Sequence, residues 1–478
     1  MIMPSSPRFR NVLKPAQVSS WILLPIIVIA AYYALHNGFY DLSATHQLLF
    51  AILPLIFLIS FLNTNFALSI LIISMLLSPG ISMGSVPGRS VALRFDDITL
   101  FIVFFGWLAR MAIHKDLGFL RISPVNRPIA AYIAVCLVST CFGALANFVN
   151  VKYAVFYIIK YVEYFIIFFM VSNNIRDEKQ VKMFTHIMIA TSVIVCFYGL
   201  YSYFRLHIRA SAPFEGPEGE ANTLAGYLII LMSLVIAHIT SATSQRIRFI
   251  MAGILGLQVI TILYTLSRTG WLGAIPTIII LIVMIKKGKG ILLFFLALAL
   301  LISPLVIPKI VHARIKETFT GSETVTFAGH KFHLDDSTTA RFKSARRSIE
   351  RWLKSPIIGE GVTSAGAVSD VQYTRILCEV GLVGLSIFIW IIVTLFQAGF
   401  NTYRYPGISV FGKNISAAFI ASLTGLLVMG VSSEVFIIIR IMEPFWFIAA
   451  VVANFPEIVT TAIPEKEKPK GITKYDRQ

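Results

Sequence analysis

Charged residues are scarce in this 478-residue chain. They make up 14% of it, against about 25% in an average soluble protein. Acidic residues are the scarcer half, with 24 Asp and Glu against 41 Lys and Arg, so the formal net charge is +17. Hydrophobic residues fill 56% of the sequence. This composition excludes a string of water-soluble domains and indicates a protein embedded in a lipid bilayer.

Signals for metal or nucleic-acid binding are also lacking. The four cysteines lie in apolar stretches without metal-ligand spacing and are expected to be small buried hydrophobes. His330 and His333 lie close to Asp335 and Asp336, but their spacing is not typical of metal ligands. The positive charge is concentrated in short loops between apolar runs, where membrane topology explains it. We therefore expect no metal, no cofactor and no nucleic-acid partner.

Long apolar runs, by contrast, are abundant. Because lipid cannot hydrogen-bond to open backbone groups, these runs are predicted to be helices. The expected fold is all-α: a polytopic membrane protein of about 12–14 transmembrane helices, with one large periplasmic loop that contains an amphipathic helix. The predicted spans lie near residues 21–36, 47–63, 64–79, 97–113, 128–148, 152–172, 184–205, 221–241, 247–266, 269–285, 290–311, 371–399, 414–432 and 435–454.

The distribution of Lys and Arg predicts the orientation. Cytoplasmic loops carry an excess of basic residues, and alternate loops of this chain are basic if both termini are cytoplasmic. The expected organisation is a cytoplasmic tail (1–20), a transmembrane domain (21–311), a periplasmic loop (312–370), C-terminal transmembrane helices (371–454) and a basic cytoplasmic tail (455–478).

The long polar loop is predicted to contain one amphipathic helix. Apolar residues from Phe342 to Leu353 recur at helical spacing, and the other face is basic. Asp335-Asp336-Ser337 offers N-capping residues before it. Such a helix is expected to lie at the membrane surface with its basic face toward anionic groups.

Three arginines are predicted to lie on one face of the membrane: Arg209, Arg268 and Arg341. Arg268 stands in Leu266-Ser267-Arg268-Thr269-Gly270-Trp271, at the junction of two apolar helices. Arginine is rare at such a position unless it has a partner or a ligand. One interpretation is a guanidinium fork that binds phosphate oxygens. The alternative is that the side chain extends to the interface and the neighbouring glycines only pack helices.

Other polar residues have two readings each. Asn222 could cap the helix that opens at residue 221, or lie beside an anion at that helix N-terminus. Asp370 could cap the helix that follows it, or act as a general base at the lipid–water boundary. Buried ion pairs are expected between Lys160 and Glu163, and between Arg440 and either Glu434 or Glu443.

Three motifs, in this order, resemble the O-antigen ligase and polysaccharide polymerase superfamily of bacteria. The first runs from Gly216 to Ala225 and contains Asn-x-Leu-Ala, and the second is Ser267-Arg268-Thr269-Gly270. The third is Arg341 followed by Ser-Pro-x-x-Gly-x-Gly and Glu-x-Gly-Leu-x-Gly within 355–384. The resemblance covers about residues 200–384, and the rest is similar only as a helical scaffold.

The resemblance implies an integral-membrane, metal-independent glycosyltransferase of the bacterial inner membrane. Its donor would be a glycan on a polyprenyl pyrophosphate, and its acceptor a hydroxyl of a glycan or a lipid-linked molecule. A chain-length regulator or export proteins are candidate partners. The implied catalytic residues are Asp370, Arg268 and Arg341, and the implied substrate-binding residues are Arg209, Asn222, Arg268, Arg341, Gly359, Gly361, Tyr373 and Glu379.

One position departs from the family pattern. Ligases carry a His nine residues before the Glu of Glu-x-Gly-Leu, where this chain has Asp370 before Glu379. The difference favours a polymerase of an exopolysaccharide or capsule over a ligase. A transporter or flippase of lipid-linked glycans is the alternative from another class, since it also explains many spans and intramembrane charges. A structural subunit of a cell-envelope complex would explain the helices but not the arginines.

Overall fold

Helices make up most of the secondary structure of this protein. The computed structural model describes residues 44–86, 89–114, 121–215, 219–286, 288–290, 293, 311, 313–314, 323–327, 330–366 and 371–462. The helices within these ranges are α1 (Ala44–Leu62), α2 (Thr64–Leu77), α3 (Phe95–His114), α4 (Asn126–Leu145), α5 (Val151–Asn174), α6 (Glu178–Leu206), α7 (Ala221–Ser241), α8 (Gln245–Tyr264), α9 (Arg268–Met284), α10 (Asp336–Trp352), α11 (Gln372–Arg404), α12 (Val410–Met429) and α13 (Ile439–Ala462).

Eight of these helices are long and apolar enough to cross a membrane, namely α4 to α8 and α11 to α13. The apolar helices α2 and α9 are shorter. The predicted all-α polytopic fold is therefore confirmed. The predicted span 21–36 lies outside the described residues, and so does most of 290–311. The last helix begins four residues later than the predicted span 435–454, at Ile439, and continues to Ala462.

Two short β-hairpins lie in connections between helices and were not predicted. In the first, β1 (Gly80–Val86) pairs with β2 (Arg89–Arg94), and in the second, β3 (Glu323–Phe327) pairs with β4 (His330–Leu334). Both hairpins are antiparallel. The second directly precedes α10, and it lies in the segment predicted to be the large periplasmic loop.

The centre of the bundle is α7, whose apolar stretch is completely buried. It packs against α8, α9 and α12. The contact between α9 and α12 depends on small residues. A Cβ atom on Gly425 would lie 2.7 Å from the Gly273 carbonyl oxygen, so only glycine allows the two backbones to approach this closely. The N-terminus of α9 is thereby fixed near the C-terminal end of α12.

One predicted buried ion pair is confirmed. Lys160 Nζ lies 3.2 Å from Glu163 Oε2, one helical turn away on α5. Lys160 also pairs with Asp97 of α3. All three side chains are buried, so each charge requires a partner.

The predicted partner of Arg440 was wrong. Arg440 Nη1 lies 3.4 Å from Glu215 Oε1, in the loop between α6 and α7. Glu434 pairs instead with Arg375 of α11, and both carboxylate oxygens of Glu443 are without hydrogen-bond partners among the described residues. Sequence proximity suggested the local pairs, whereas the fold brings a remote loop to the fully buried Arg440. This contact attaches the α6–α7 loop to α13.

Candidate active site

The start of α9 is held by two of the predicted motifs. Ser267 is its N-cap residue, and the hydroxyl accepts a hydrogen bond from the Gly270 amide at 3.1 Å. The same hydroxyl donates to Asn222 Oδ1 at the start of α7, over 2.7 Å. Asn222 therefore supports the α9 turn, and the two motifs meet in space. Their contact places Arg268 at the first position of α9, where helix amides and dipole also favour an anion.

Arg268 connects α9 to the amphipathic helix of the large loop. Its Nη2 donates to Asp335 Oδ2 at 2.7 Å and to the hydroxyl of Ser337. The predicted helix is confirmed as α10, and Asp335 occupies its N-cap position. Its side chain makes no capping hydrogen bond, which differs from the prediction because the carboxylate points to Arg268 instead.

Electrostatics stabilise the Asp335 carboxylate in its charged form. Burial alone raises the pKa of Asp335, but hydrogen bonds from Arg268, Thr338 and Ser337 and the charge of Arg268 outweigh it. The net result is a pKa below the ordinary value for aspartate. Asp335 is therefore ionised at neutral pH, and its carboxylate forms an ion pair with Arg268.

Arg341 approaches the same turn from α10. Its Nη1 donates to Thr269 Oγ1 at 3.3 Å, and Thr269 Oγ1 is 3.1 Å from the hydroxyl of Ser432, just after α12. Arg341 and Arg268 therefore flank one point where α9, α10 and the end of α12 converge.

Arg209 contacts the chain just before the α9 turn. Its Nε donates to the Thr265 carbonyl at 2.9 Å. Burial, followed by the positive charges of Arg314, Arg341 and Arg268, lowers the pKa of Arg209 to about 10. The three predicted arginines thus share one region of positive potential, which favours binding of an anion.

Arg314 is a fourth arginine of this region that sequence reasoning missed. Of the three arginines that lower the pKa of Arg209, it has the largest effect. It stands just after the predicted span 290–311, on the face assigned to the other three. This position was the one sequence signal that could have pointed to Arg314, because no motif includes the residue.

A cavity of about 620 Å³ opens beside the arginines. Most of its lining is apolar, while Arg268 and Arg341 contribute charge. Such a cavity suits an amphiphilic ligand, whose anionic group would contact the arginines while its apolar part lies along the hydrophobic wall. The lining residues are Arg268, Thr269, Trp271, Leu272, Ile275, Thr338, Arg341, Phe342, Ala345, Val371, Val431 and Ser432.

The predicted base, Asp370, lies outside the described residues. The next residue, Val371, lines the cavity. The role of Asp370 stays a prediction. Glu360, another carboxylate of this loop, is buried and its Oε2 lies 2.6 Å from Arg351 Nε, so its charge is already paired.

Gly359 and Gly361 shape the turn that precedes α11. Both have left-handed backbone conformations, with φ of +77° and +100°. A Cβ on Gly359 would lie 2.6 Å from the carbonyl carbon of Glu379, and one on Gly361 would lie 3.2 Å from Thr140 Cα. Neither glycine lines the cavity. Their predicted substrate-binding role is untested, and their contacts here are structural.

Glu379 and Tyr373 also make structural contacts. Glu379 Oε1 accepts hydrogen bonds from Arg375 Nε and the Thr363 amide, both at 3.0 Å. The Tyr373 hydroxyl donates to the Leu427 carbonyl at 2.6 Å. Neither residue lines the cavity beside Arg268 and Arg341. Glu379 holds the turn before α11, and Tyr373 attaches α11 to α12.

The convergence of these motifs agrees with a comparison to known families. Residues 253–389 match the family model described as O-antigen ligase. The match confirms the resemblance to the O-antigen ligase and polysaccharide polymerase superfamily. The matched segment contains Arg268, Arg314 and Arg341, while Arg209 and Asn222 come from the preceding part of the chain. No curated protein gives a significant match. The family supports a multi-pass membrane protein that acts in glycan assembly.

Proposed function

We propose that this protein is a membrane glycosyltransferase that moves a glycan from a polyprenyl-pyrophosphate donor to an acceptor hydroxyl. The observation that carries the proposal is the arginine region beside a largely apolar cavity of about 620 Å³. A donor of this kind combines a diphosphate with a long apolar chain, and the site combines the complementary features. The products would be an exopolysaccharide or O-antigen polymer, or a ligated O-antigen.

In the proposed reaction the acceptor oxygen attacks the anomeric carbon with inversion, and the bond from that carbon to the diphosphate oxygen breaks. Asp370 takes the proton from the acceptor hydroxyl. Arg209, Arg268, Arg314 and Arg341 stabilise the negative charge that the departing diphosphate acquires, and four cations can do so without a metal ion. Asp370 in place of the ligase His favours polymerisation.

The proposed location is the periplasmic face of the bacterial inner membrane, with both termini cytoplasmic. All four arginines lie in segments that the charge distribution assigns to this face. Lipid-linked glycans would reach the cavity from the surrounding bilayer.

Native mass spectrometry of the purified protein would test the donor class. The wild type is expected to retain a polyprenyl-pyrophosphate glycan, and Arg268→Ala is expected to lose it. Arg346→Ala is the matched control, because Arg346 lies on α10 with its side chain 82% exposed. Equal retention by all three proteins would place the anion site elsewhere, and absence of the lipid from all three would count against the donor.

A transporter of lipid-linked glycans remains the second candidate, favoured by one observation. Asp96 and Glu443 are completely buried, and both carboxylate oxygens of each lack hydrogen-bond partners among the described residues. Intramembrane carboxylates of this kind are typical of ion-coupled transport. Reconstituted vesicles distinguish the two functions, since a transporter moves the donor between leaflets without joining sugars.

A further inference from the structure

A second cavity, of about 470 Å³, is lined mainly by cationic and polar side chains. Its lining includes Lys286, Arg404, Lys413, Asn414, Tyr403 and Ile408. These residues come from the segment after α9, the C-terminal end of α11, the connection that follows it and the start of α12. The cavity shares no lining residue with the one at Arg268.

Three cations line this basic cavity. Lys286, Arg404 and Lys413 are exposed, and none forms an ion pair with a residue in the described part of the chain. Arg404 lies over the ring of Phe400 at 5.6 Å. Loop lysines and arginines on one membrane face normally reach into solvent separately. Here three of them, from three elements, line one concave space.

The basic cavity lies at the opposite end of the same helices from the cavity lined by Arg268 and Arg341, which is called the arginine cavity below. Arg268 begins α9 and Lys286 follows its end, which puts about 26 Å of helix between them at 1.5 Å per residue. Likewise, Val371 and Arg404 are at opposite ends of α11, and Ser432 and Lys413 are at opposite ends of α12. The basic cavity is therefore at the other membrane face, which the proposed orientation makes cytoplasmic.

Apolar surface lies directly beside the cations, on the side toward the bilayer centre. Val283, about one helical turn before Lys286 on α9, is 69% exposed, and Phe400, one turn before Arg404 on α11, is 37% exposed. Cations beside exposed apolar side chains match an amphiphile whose phosphate lies at the interface and whose acyl chains run along the helices. A soluble anion would use only the cations.

We propose that the basic cavity binds the phosphate-bearing head group of an anionic phospholipid in the leaflet opposite the arginine cavity. Lys286, Arg404 and Lys413 contact the phosphate, and the acyl chains pack on Val283 and Phe400. Basic pockets between helices at a membrane face are suited to such head groups. The site is independent of the glycosyltransferase reaction, so either proposal can fail without the other.

Lipid titration of the full chain in neutral detergent tests this site, with adducts counted by native mass spectrometry. The probes are phosphatidylglycerol, cardiolipin and phosphatidylcholine. The wild type is expected to bind the two anionic lipids and not phosphatidylcholine. Each cation near a membrane surface contributes about fivefold to such binding, so the combined Lys286→Gln, Arg404→Gln and Lys413→Gln variant should lose about a hundredfold in affinity.

The matched control removes three exposed cations that lie outside the basic cavity but on the same predicted face: Arg176→Gln, Lys179→Gln and Arg246→Gln. If the site is local, this control variant should bind the anionic lipids within about threefold of wild type. If diffuse surface charge accounted for the binding, both triple variants would lose affinity equally, because each removes three cations. Equal loss in the two triple variants would therefore overturn the proposal, and so would full retention by the cavity variant.

Val410→Trp provides a test that leaves every charge in place. Val410 lines the basic cavity, and the larger side chain should exclude the lipid while the thermal stability in lipid-free detergent stays close to wild type. Unchanged lipid binding by a folded Val410→Trp protein would contradict the cavity as the site. Displacement of the lipid by inorganic phosphate at equal concentration would assign the site to a soluble anion and overturn the lipid as its occupant.

Discussion

Replacing Arg268 by Lys keeps a positive charge at the start of α9 but removes the planar guanidinium. In the structure Arg268 Nη2 alone donates to two acceptors, Asp335 and Ser337. The single ammonium of Lys is on a shorter side chain and does not reproduce the fork. We expect Arg268→Lys to hold neither α10 nor a diphosphate in the same geometry.

The size of the effect follows from the contacts that are lost. A hydrogen bond to a charged group contributes about 1.5–3 kcal/mol, and removal of one donor that stabilises developing negative charge costs about 10²–10³ in rate. One such donor to the leaving diphosphate is lost in Arg268→Lys. The expected result is a fall in glycan transfer of about a hundredfold.

Transfer can be measured in membrane vesicles that contain the lipid-linked donor, with the polymer resolved by gel electrophoresis. Arg346→Lys is the matched control, because Arg346 is on the same helix as Arg341, is highly exposed and pairs with Glu350 four residues later at 2.8 Å. An exposed pair of this kind contributes little, so this variant should stay within about twofold of wild type. Transfer by Arg268→Lys at half the wild-type rate or more would refute the arginine fork.

Three further changes test the rest of the site. Asp370→Asn should lower transfer by at least about a hundredfold, because the proposed base is lost, yet leave donor lipid on the protein in native mass spectrometry; normal turnover would move the base elsewhere. Gly359→Ala should lower the thermal unfolding temperature more than Gly366→Ala does, because both glycines have positive φ but only at Gly359 would a Cβ meet backbone atoms. Gly366→Ala alone should lower the free energy of unfolding by about 1–2 kcal/mol. Equal effects of the two substitutions would contradict the close packing at Gly359. Ser267→Ala should destabilise the start of α9 by about 1 kcal/mol, while Ser267→Thr should keep the cap. Equal melting temperatures for the wild type and both variants would exclude the capping role of Ser267.

The helical framework was predictable because lipid imposes a simple pattern. Apolar runs of about 20 residues must form helices, and the structure places helices at twelve of the fourteen predicted spans. The two hairpins, β1–β2 and β3–β4, have no equivalent constraint, because polar connections are free to pair their backbone locally. Their strands carry no long alternating pattern that would have revealed them.

The arginine region was predicted in part. Arg268 and Arg341 stand in recognisable motifs, and topology alone placed Arg209 on the same face. Arg314 stands in no motif, and its effect on Arg209 is seen only in the folded structure. The wrong partners for Arg440 have the same origin, because its true partner Glu215 is 225 residues away in the sequence. Long-range pairing of charges requires the packed structure.

The pairing of Arg268 with Asp335 constrains how a donor would enter. Asp335 is ionised at neutral pH because its pKa is below the ordinary value, so protonation does not release it from Arg268. A diphosphate that engages the same Nη2 must therefore displace one anion with another. This exchange keeps the guanidinium paired before and after binding, which avoids the cost of an uncompensated charge beside the apolar cavity.

The exchange of anions at Arg268 also links donor binding to α10, since Asp335 and Ser337 lie at the start of that helix. Arg341 extends from the same helix to Thr269, so a donor that displaces Asp335 would find a second guanidinium already at the cavity.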